Sequence, residues 1–271
     1  MNNRTRSKQS RETASDLGMS KIAGDHTDDP SSRRIFLLVE GEENTGKSTL
    51  MLQAPGPIGV MDYDLGMEGM AEDYVAETGK DIQTLPLQWQ VTPGDKEKTA
   101  KDCEEVWRAA VQAMNHVLSS GKFRSLGIDT GSEMWELMRL ARFGKLDRIK
   151  AHHYAPVNAE FQGQIKAYRD YETNVIMLHQ LKEEYKTKVV QGSETGVPTG
   201  NMIRAGFKQM KYIAPNIVRC MRDDDEGVFG VKVLKAKRAN HLVGMEFWGD
   251  DAAFPALATM MVPGTEEEYW T

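Results

Sequence analysis

The chain has 271 residues, of which 40% are hydrophobic and 27% are charged, and its formal net charge is −6. This length and composition predict one well-filled core, and no apolar run approaches the ~18 residues that a membrane span needs, so no membrane partner is expected. The negative charge excludes a protein that is basic over its whole surface, so any nucleic-acid contact has to be local.

The first 32 residues are polar and have almost no apolar periodicity. Such a segment buries too little apolar surface to offset the entropy lost on ordering, so residues 1–32 are expected to form a disordered tail that is basic at its start. No apolar segment follows the basic residues, as a secretory signal would require. We therefore expect a soluble, intracellular and cytoplasmic protein.

From residue 33 onward, short apolar runs alternate with amphipathic segments. The first run, 35–39, is continuous, which is typical of a strand buried on both faces of a sheet. The alternation predicts an α/β fold in which a mainly parallel sheet carries helices on both faces. The other predicted strands are 57–61, 125–128, 174–178, 217–221 and 231–234, and the predicted helices are 48–53, 104–118, 134–143 and 159–171.

The predicted strands and helices place the ordered domain at residues 33–250. Residues 251–271 then form a C-terminal extension. Its last residues, TEEEYWT, have the composition of a short acidic tail.

The segment GEENTGKST, residues 41–49, follows the first predicted strand and leads into a helix. It matches the pattern G-x-x-x-x-G-K-[ST], in which glycines let backbone N–H groups point at phosphates and the lysine adds a positive charge. A serine hydroxyl at this place is a ligand for Mg²⁺. The segment therefore predicts a site for ATP and Mg²⁺. Its nucleotide-binding residues are Gly41, Asn44, Thr45, Gly46, Lys47, Ser48 and Thr49.

Acidic residues follow two further predicted strands. Asp129 ends the strand 125–128, and we expect it to hold Mg²⁺ together with Ser48. Asp62 and Asp64 follow the strand 57–61, where alternation would place both on one face of the strand end. One of these two acids is expected to orient the water that attacks the γ-phosphate, and the pattern alone does not distinguish them.

In this order the motifs resemble those of the RecA-like P-loop ATPases, and most of all the Sak-type recombination ATPases of phages, also called phage nucleotide-binding proteins. The resemblance covers about residues 35–249. It implies that VMDYDLGME carries the catalytic acid at Asp64, in place of the usual glutamate. It also implies that NVIMLHQLKEEY carries a γ-phosphate-sensing glutamine at Gln180.

The segment VKVLKAKRAN is similar to the strand on which RecA-like recombinases carry two lysines that reach the ATP of a neighbouring subunit. These lysines fall on Lys235 and Lys237. Cations supplied in this way would stabilise transition-state charge and couple hydrolysis to assembly. The resemblance thus implies a Mg²⁺-dependent ATPase that forms a head-to-tail ring or filament. Its catalytic residues are Lys47, Asp64, Gln180, Lys235 and Lys237.

Two stretches are predicted to bind single-stranded DNA, one after Asp129 and one after Gln180, where RecA-like recombinases hold the strand. The second stretch lacks periodicity and is expected to be a long loop. Contacts of its basic residues with phosphates would make binding salt-sensitive and independent of sequence. The expected contact residues are Arg139, Arg142, Lys145, Lys182, Lys186, Lys188 and Arg204.

The sequence therefore favours an ATPase that binds single-stranded DNA in recombination, annealing or repair. We expect it to be encoded by a phage, located in the host cytoplasm and acting with a single-strand-binding protein. One alternative is an ATP-gated switch that acts on protein, such as a helicase loader, without touching DNA. A small-molecule kinase is a second alternative, which the absence of an arginine-rich lid disfavours.

Overall fold

The computed structural model describes residues 33–146, 150–190 and 193–271, and the tail predicted at 1–32 lies outside them. The described strands form one nine-stranded sheet in the order β3-β2-β4-β5-β1-β7-β8-β9, and β6 pairs with β5 off this path. The strands are β1 (Phe36–Gly41), β2 (Ile58–Asp62), β3 (Ile82–Pro86), β4 (Ser125–Asp129), β5 (Asn174–Val190), β6 (Ser193–Arg204), β7 (Asn216–Asp223), β8 (Val228–Ala236) and β9 (Glu246–Trp248).

The central six strands, from β3 to β7 in the sheet order, pair in parallel, and β8 and β9 add an antiparallel edge. Parallel neighbours require crossover connections, which helices supply here. The helices are α1 (Lys47–Leu52), α2 (Met70–Thr78), α3 (Lys96–Ser119), α4 (Gly131–Phe143), α5 (Tyr154–Ala167), α6 (Met210–Ile213) and α7 (Phe254–Met261).

Alternate residues of β1 point into two separate cores. Leu38 belongs to a cluster with residues of α3, α4 and α5, whereas Leu37 and Val39 belong to a cluster with α1 and α7. All three side chains are fully buried. Because both faces of the sheet are covered by helices, the predicted fold class, an α/β domain with a mainly parallel sheet, is confirmed.

The C-terminal residues are part of the core, which corrects their interpretation as an acidic tail. Trp270 is fully buried, packs edge-on against Phe254 and donates from its indole N–H to Thr265 Oγ1 at 3.0 Å. The indole ring supplies the apolar area that holds this segment in place, while the preceding glutamates remain in solvent.

The stretch after Gln180 is a β-hairpin and not the long loop that the sequence predicts. β5 continues for ten residues past Gln180 and pairs in antiparallel with β6. We call residues 181–204 the hairpin arm. The arm meets no other described strand, and most of its described side chains are solvent-accessible. Without a buried face, its sequence has no apolar alternation to reveal it.

No helix in the described part of the chain combines the length and apolar composition that crossing a membrane would require.

Candidate functional site

Four candidate residues lie at the carboxyl ends of parallel strands, along one edge of the sheet. Gly41 of β1 is level with Gln180 of β5, and Asp62 of β2 is level with Asp129 of β4. In open parallel sheets ligands bind at this edge, because loops and helix N-termini converge there. The order of the strands thus brings together residues that are far apart in the sequence.

The turn from β1 into α1 has the shape of a phosphate-binding loop. Asn44 and Gly46 adopt positive φ angles of 58° and 83°. No side chain of the described residues caps α1, whose first backbone N–H groups therefore stay open to an anion. Inside the turn, Thr45 Oγ1 donates to the Glu42 carbonyl at 2.8 Å.

Glycine at position 41 is required by close packing. A Cβ there would lie 2.6 Å from Thr45 Oγ1, too near for any real contact. Glycine is thus required at position 41 because a side chain has no space there, and at position 46 because of the backbone conformation.

Lys47 folds back over the turn and donates a hydrogen bond from Nζ to the Glu42 carbonyl. Burial lowers the pKa of this ammonium group, while the nearby Cys220 thiol and the Asp129 carboxylate act in the opposite direction. Within the described part of the chain this half-buried cation forms no ion pair, and a phosphate chain in the turn would supply its anionic partner.

Ser48 and Asp129 form the best candidate for a magnesium site. Ser48 Oγ donates to Asp129 Oδ2 at 2.9 Å. Burial, and then the neighbouring charge of Asp64, raise the pKa of Asp129 to about 7. Among the described residues no group of three or more His, Cys, Asp or Glu side chains has metal-binding geometry. Two oxygen ligands suit Mg²⁺, which commonly keeps several waters and takes further ligands from phosphates.

Asp62 and Asp64 do not share a strand face, contrary to the sequence prediction, because β2 ends at Asp62. Asp62 is buried and accepts hydrogen bonds from the backbone N–H groups of Gly66 and Met67, at 3.1 and 3.2 Å. Burial raises its pKa. Asp64 is exposed in the following turn and close enough to raise the pKa of Asp129. Asp62 therefore organises the turn, and Asp64 is the acid that faces solvent.

Gln180 is tied to the elements around it through its backbone. Its N–H donates to Ser132 Oγ at 3.2 Å, and its carbonyl accepts from the Ala205 N–H at 2.9 Å. The buried His179 contacts both Ser132 Oγ and the Ala205 carbonyl through Nδ1. Gln180 thus connects β1, the start of α4 and both ends of the hairpin arm.

Lys235 and Lys237 lie where the parallel strands begin, which is the side of the sheet opposite to the phosphate-binding loop. Ala236, between them, pairs with Asn216, which is level with Leu37 near the start of β1. Lys235 Nζ donates to the carbonyls of Lys211 and Ala214, at 2.9 and 2.7 Å. Lys237 is exposed. Neither lysine can reach the nucleotide of its own chain.

Three arginines predicted to bind DNA are held by carboxylates instead. Arg139 pairs with Glu136, and Arg142 pairs with both Glu104 and Glu160. Arg204, with 11% of its side chain exposed, pairs with the buried Glu40 at 3.2 Å. Arg204 is therefore buried in an ion pair and is not the exposed phosphate contact that the sequence predicts.

The predicted DNA-contact lysines lie in two places. Lys145 follows α4, while Lys182 and Lys186 belong to the hairpin arm, and all three are exposed. The side chain of Lys188 lies outside the described residues. The three described lysines are thus exposed surface cations, whereas the three arginines are already paired with carboxylates.

Several residues of the site have no signature in the sequence. Phe229 of β8 covers the loop, since a Cβ at Gly46 would lie 3.0 Å from its ring. Phe229 and Leu50 border a largely apolar cavity of about 300 Å³ beside the loop. Glu133, whose pKa is raised by burial, lines a cleft with Asp64. The order of the strands brings these side chains to the site, so no local sequence pattern predicts that they belong to it.

Comparison with protein-family models gives no match, and comparison with curated proteins gives none. Among solved structures, the chain is similar to the RadB recombinase, with 14% sequence identity and a TM-score of 0.41 over 79% of this chain and 86% of that one. It is also similar to an ATPase from the type III secretion system of pathogenic bacteria, with 13% identity and a TM-score of 0.47 over 83% of this chain. The match spans 63% of the secretion ATPase. Likenesses of this size carry no conclusion about function, which rests on the residues of the site.

Proposed function

We propose that the chain is a Mg²⁺-dependent ATPase of the RecA-like type that couples ATP hydrolysis to binding of single-stranded DNA in recombination, annealing or repair. One observation carries the proposal. Lys47, the Ser48–Asp129 pair, Asp64 and Gln180 meet at one edge of the sheet, and the exposed hairpin arm starts at Gln180.

In this proposal the residues of the loop bind the triphosphate, and Lys47 leaves the Glu42 carbonyl to contact its terminal phosphates. Mg²⁺ held by Ser48 and Asp129 would neutralise charge on the phosphates. Asp64 orients the attacking water, a task that needs an exposed acid. Asp62 is buried and accepts two backbone N–H groups, whereas Asp64 accepts one, from Gly66, and remains exposed. The apolar cavity beside Gly46 and Phe229 would hold the purine base of ATP.

The hairpin arm is the proposed DNA-binding element. Lys182 and Lys186 are exposed on it, close to Gln180 in the chain. A change in the position of Gln180 on loss of the γ-phosphate would move the root of the arm, because the Gln180 backbone bonds to Ser132 and Ala205. ATP would thus regulate the affinity of the arm for DNA.

Two measurements test the proposal. Phosphate release is followed with and without single-stranded DNA, for wild type and Lys47→Ala. We expect DNA to stimulate wild type and Lys47→Ala to be inactive. DNA binding is then measured across a salt series for Lys182→Ala/Lys186→Ala. A matched control, Lys101→Ala/Lys122→Ala, removes two exposed lysines elsewhere. Equal losses for the two pairs, or hydrolysis indifferent to DNA, would contradict the DNA role.

An ATP-gated switch acting on protein is a second candidate, and the composition of the arm supports it. Tyr185 is 61% exposed and Met202 is 36% exposed, and Glu183 and Glu184 accompany the lysines. Apolar and acidic groups of this kind suit a protein partner better than a phosphate backbone. Hydrolysis that is unchanged by DNA would favour this candidate. Transfer of phosphate to a small acceptor would instead indicate a kinase.

Head-to-tail assembly into a ring or filament is also part of the proposal. Lys235 and Lys237 lie at the opposite sheet edge from the loop, so they can only serve the nucleotide of another copy. Mixing two inactive variants tests this point. Lys47→Ala keeps Lys237, Lys237→Ala keeps an intact loop, and their mixture should regain activity. If the mixture is as inactive as its components, Lys237 does not contribute to the nucleotide site of another copy.

The resemblance to phage Sak-type ATPases extends the proposal to a phage-encoded protein of the host cytoplasm, acting beside a single-strand-binding protein.

A further inference from the structure

The β7–β8 hairpin carries opposite charges at its two ends. Its turn, between Asp223 and Gly227, contains four consecutive acids, and β8 runs back to a basic segment that begins at Lys235. β8 has nine residues, which corresponds to a length of about 30 Å. The acidic turn lies at the edge of the phosphate-binding loop, where Asp224 borders a cavity with Glu43 and Asn44.

The basic end of the hairpin opens on a cavity of about 470 Å³. We call this cavity the basic cavity. Among the described residues, no carboxylate lines it. Asp170 and Glu172 lie near Arg34, and their charges oppose the lowering of its pKa by burial. Arg169 and Lys237 crowd Lys235, whose pKa is lowered by burial first and then by these two charges. The cations that line the cavity are Arg34, Arg169, Lys235, Lys237 and Arg238.

The acidic turn is ordered and keeps carboxylates free for a partner. Asp223 Oδ1 accepts the backbone N–H groups of Asp225 and Glu226, at 3.0 and 3.1 Å, which fixes the turn. Arg222 pairs with Asp224 at 3.5 Å. Asp225 and Glu226 are exposed, and within the described residues neither carboxylate forms an ion pair.

We propose that the acidic turn of one copy docks in the basic cavity of a second copy of this chain. The inference rests on the head-to-tail assembly of the proposed function and names the surfaces that form it. Because the two surfaces lie at opposite edges of the sheet, each copy uses both at once, and the contact propagates. The same contact brings Lys237 of one copy to the loop edge of the next.

Charge complementarity is the physical basis of the contact. Opposite charges steer two surfaces together and fix their register, whereas like charges placed against each other repel. Salt weakens the attraction, since the Debye length is about 10 Å at 0.1 M ionic strength. A contact through exposed carboxylates and guanidinium groups should therefore weaken steeply with ionic strength.

Two charge-reversed variants test the docking. Asp225→Lys/Glu226→Lys makes the turn basic and leaves Asp223 and its hydrogen bonds in place. Arg169→Glu/Arg238→Glu makes the basic cavity acidic and spares both candidate catalytic lysines. Association is measured by sedimentation velocity at low and moderate salt with Mg²⁺ and a non-hydrolysable ATP analogue. Circular dichroism and thermal unfolding confirm that each variant is folded.

We expect wild type to associate at low salt and each variant alone to need about tenfold or more protein for the same association. An equimolar mixture of the two variants should associate again, because each reversed surface then meets an opposite one. Association of either variant at the wild-type concentration, or a mixture that stays monomeric, would overturn the docking surfaces. DNA-stimulated hydrolysis in such a case would leave the proposed function intact.

Discussion

The hydroxyl of Ser48 lies 2.9 Å from a carboxylate oxygen of Asp129, although 81 positions separate the two residues. The contact reaches across the sheet, because β5 lies between β1 and β4. It joins the first turn of α1 to the end of a second buried strand. The pair is therefore a product of the sheet order, and it places two oxygen ligands where the phosphate-binding loop opens.

Replacing Asp129 should abolish ATP hydrolysis while increasing the free energy of unfolding. Burial raises the pKa of this carboxylate from its usual 3.8 to about 7, so the folded state binds this proton more tightly than the unfolded state. Its ionisation therefore costs stability as the pH rises from about 4 to 7. Asp129→Asn should lose Mg²⁺-dependent hydrolysis, yet gain on the order of 4 kcal/mol in unfolding free energy at pH 8 without nucleotide.

Urea unfolding of wild type and Asp129→Asn at pH 5 and pH 8 measures this effect. The advantage of the variant should grow between the two values and should shrink when Mg²⁺ and ATP are added to both proteins. A variant less stable than wild type at pH 8 without nucleotide would contradict the assignment.

Gly46→Ala should harm the phosphate-binding loop in two ways. The residue has a φ of 83°, a conformation that costs a residue with a side chain about 1–2 kcal/mol. The added methyl group would also lie 3.0 Å from the ring of Phe229. Gly79→Ala is a matched control, because Gly79 has a φ of 70° and open space around it.

Thermal unfolding and ATP binding should therefore differ between the two alanine variants. Gly79→Ala should lose stability only and bind ATP normally, whereas Gly46→Ala should lose more stability and most of its affinity for ATP. Similar ATP affinities for both variants would show that Gly46 does not shape the loop.

Glu40 is the buried anchor of two arginines beside the loop. Its carboxylate has 5% of its area exposed and pairs with Arg204 and Arg219. Glu40→Gln would leave two partly buried cations without their counter-charge, and we expect a loss of about 3–5 kcal/mol. Glu246→Gln breaks the exposed pair with Lys232 at 2.8 Å and should cost about 1 kcal/mol or less. Denaturant unfolding compares the two, and equal losses would contradict a buried ion-pair network.

The sequence predicted the parts of the site that depend on local patterns. A buried strand followed by glycines and lysine specifies the loop, and an acid at the end of another buried strand specifies Asp129. Parallel strands bring their carboxyl ends to one edge, so the meeting of Gly41, Asp129 and Gln180 follows from the fold class. The fold class therefore predicts that these residues lie at one edge, whereas the strand order, which the sequence pattern does not predict, decides which of them are in contact.

What the sequence did not predict depends on long-range packing or on solvated elements. Burial of Trp270 was hidden by the charged residues before it. The hairpin arm has solvent on its faces, so no apolar period distinguishes it from a loop. Arg204 was interpreted as a surface cation because its partner, Glu40, is 164 positions away. Only the folded chain shows that Arg204 and Glu40 are paired.

His179 should make the wild-type protein sensitive to acid. The imidazole is fully buried, and burial, with a further contribution from Arg204, lowers its pKa from the usual 6.5 to about 3. The unfolded chain takes up a proton below pH 6.5 and the folded chain does not. The stability that the neutral ring contributes is therefore complete above pH 6.5 and is lost by about 1.4 kcal/mol for each pH unit below it.

His179→Leu should remove this loss, although it leaves the Ala205 carbonyl without its partner and costs about 1–3 kcal/mol at pH 7. The difference in unfolding free energy between wild type and variant should therefore shrink as the pH falls from 7 to 5. Ser132→Ala removes a hydrogen bond to the same ring without removing the titrating group, so its pH profile should run parallel to wild type. A constant difference between wild type and His179→Leu over this range would mean that the folded protein protonates His179 as readily as the unfolded chain does.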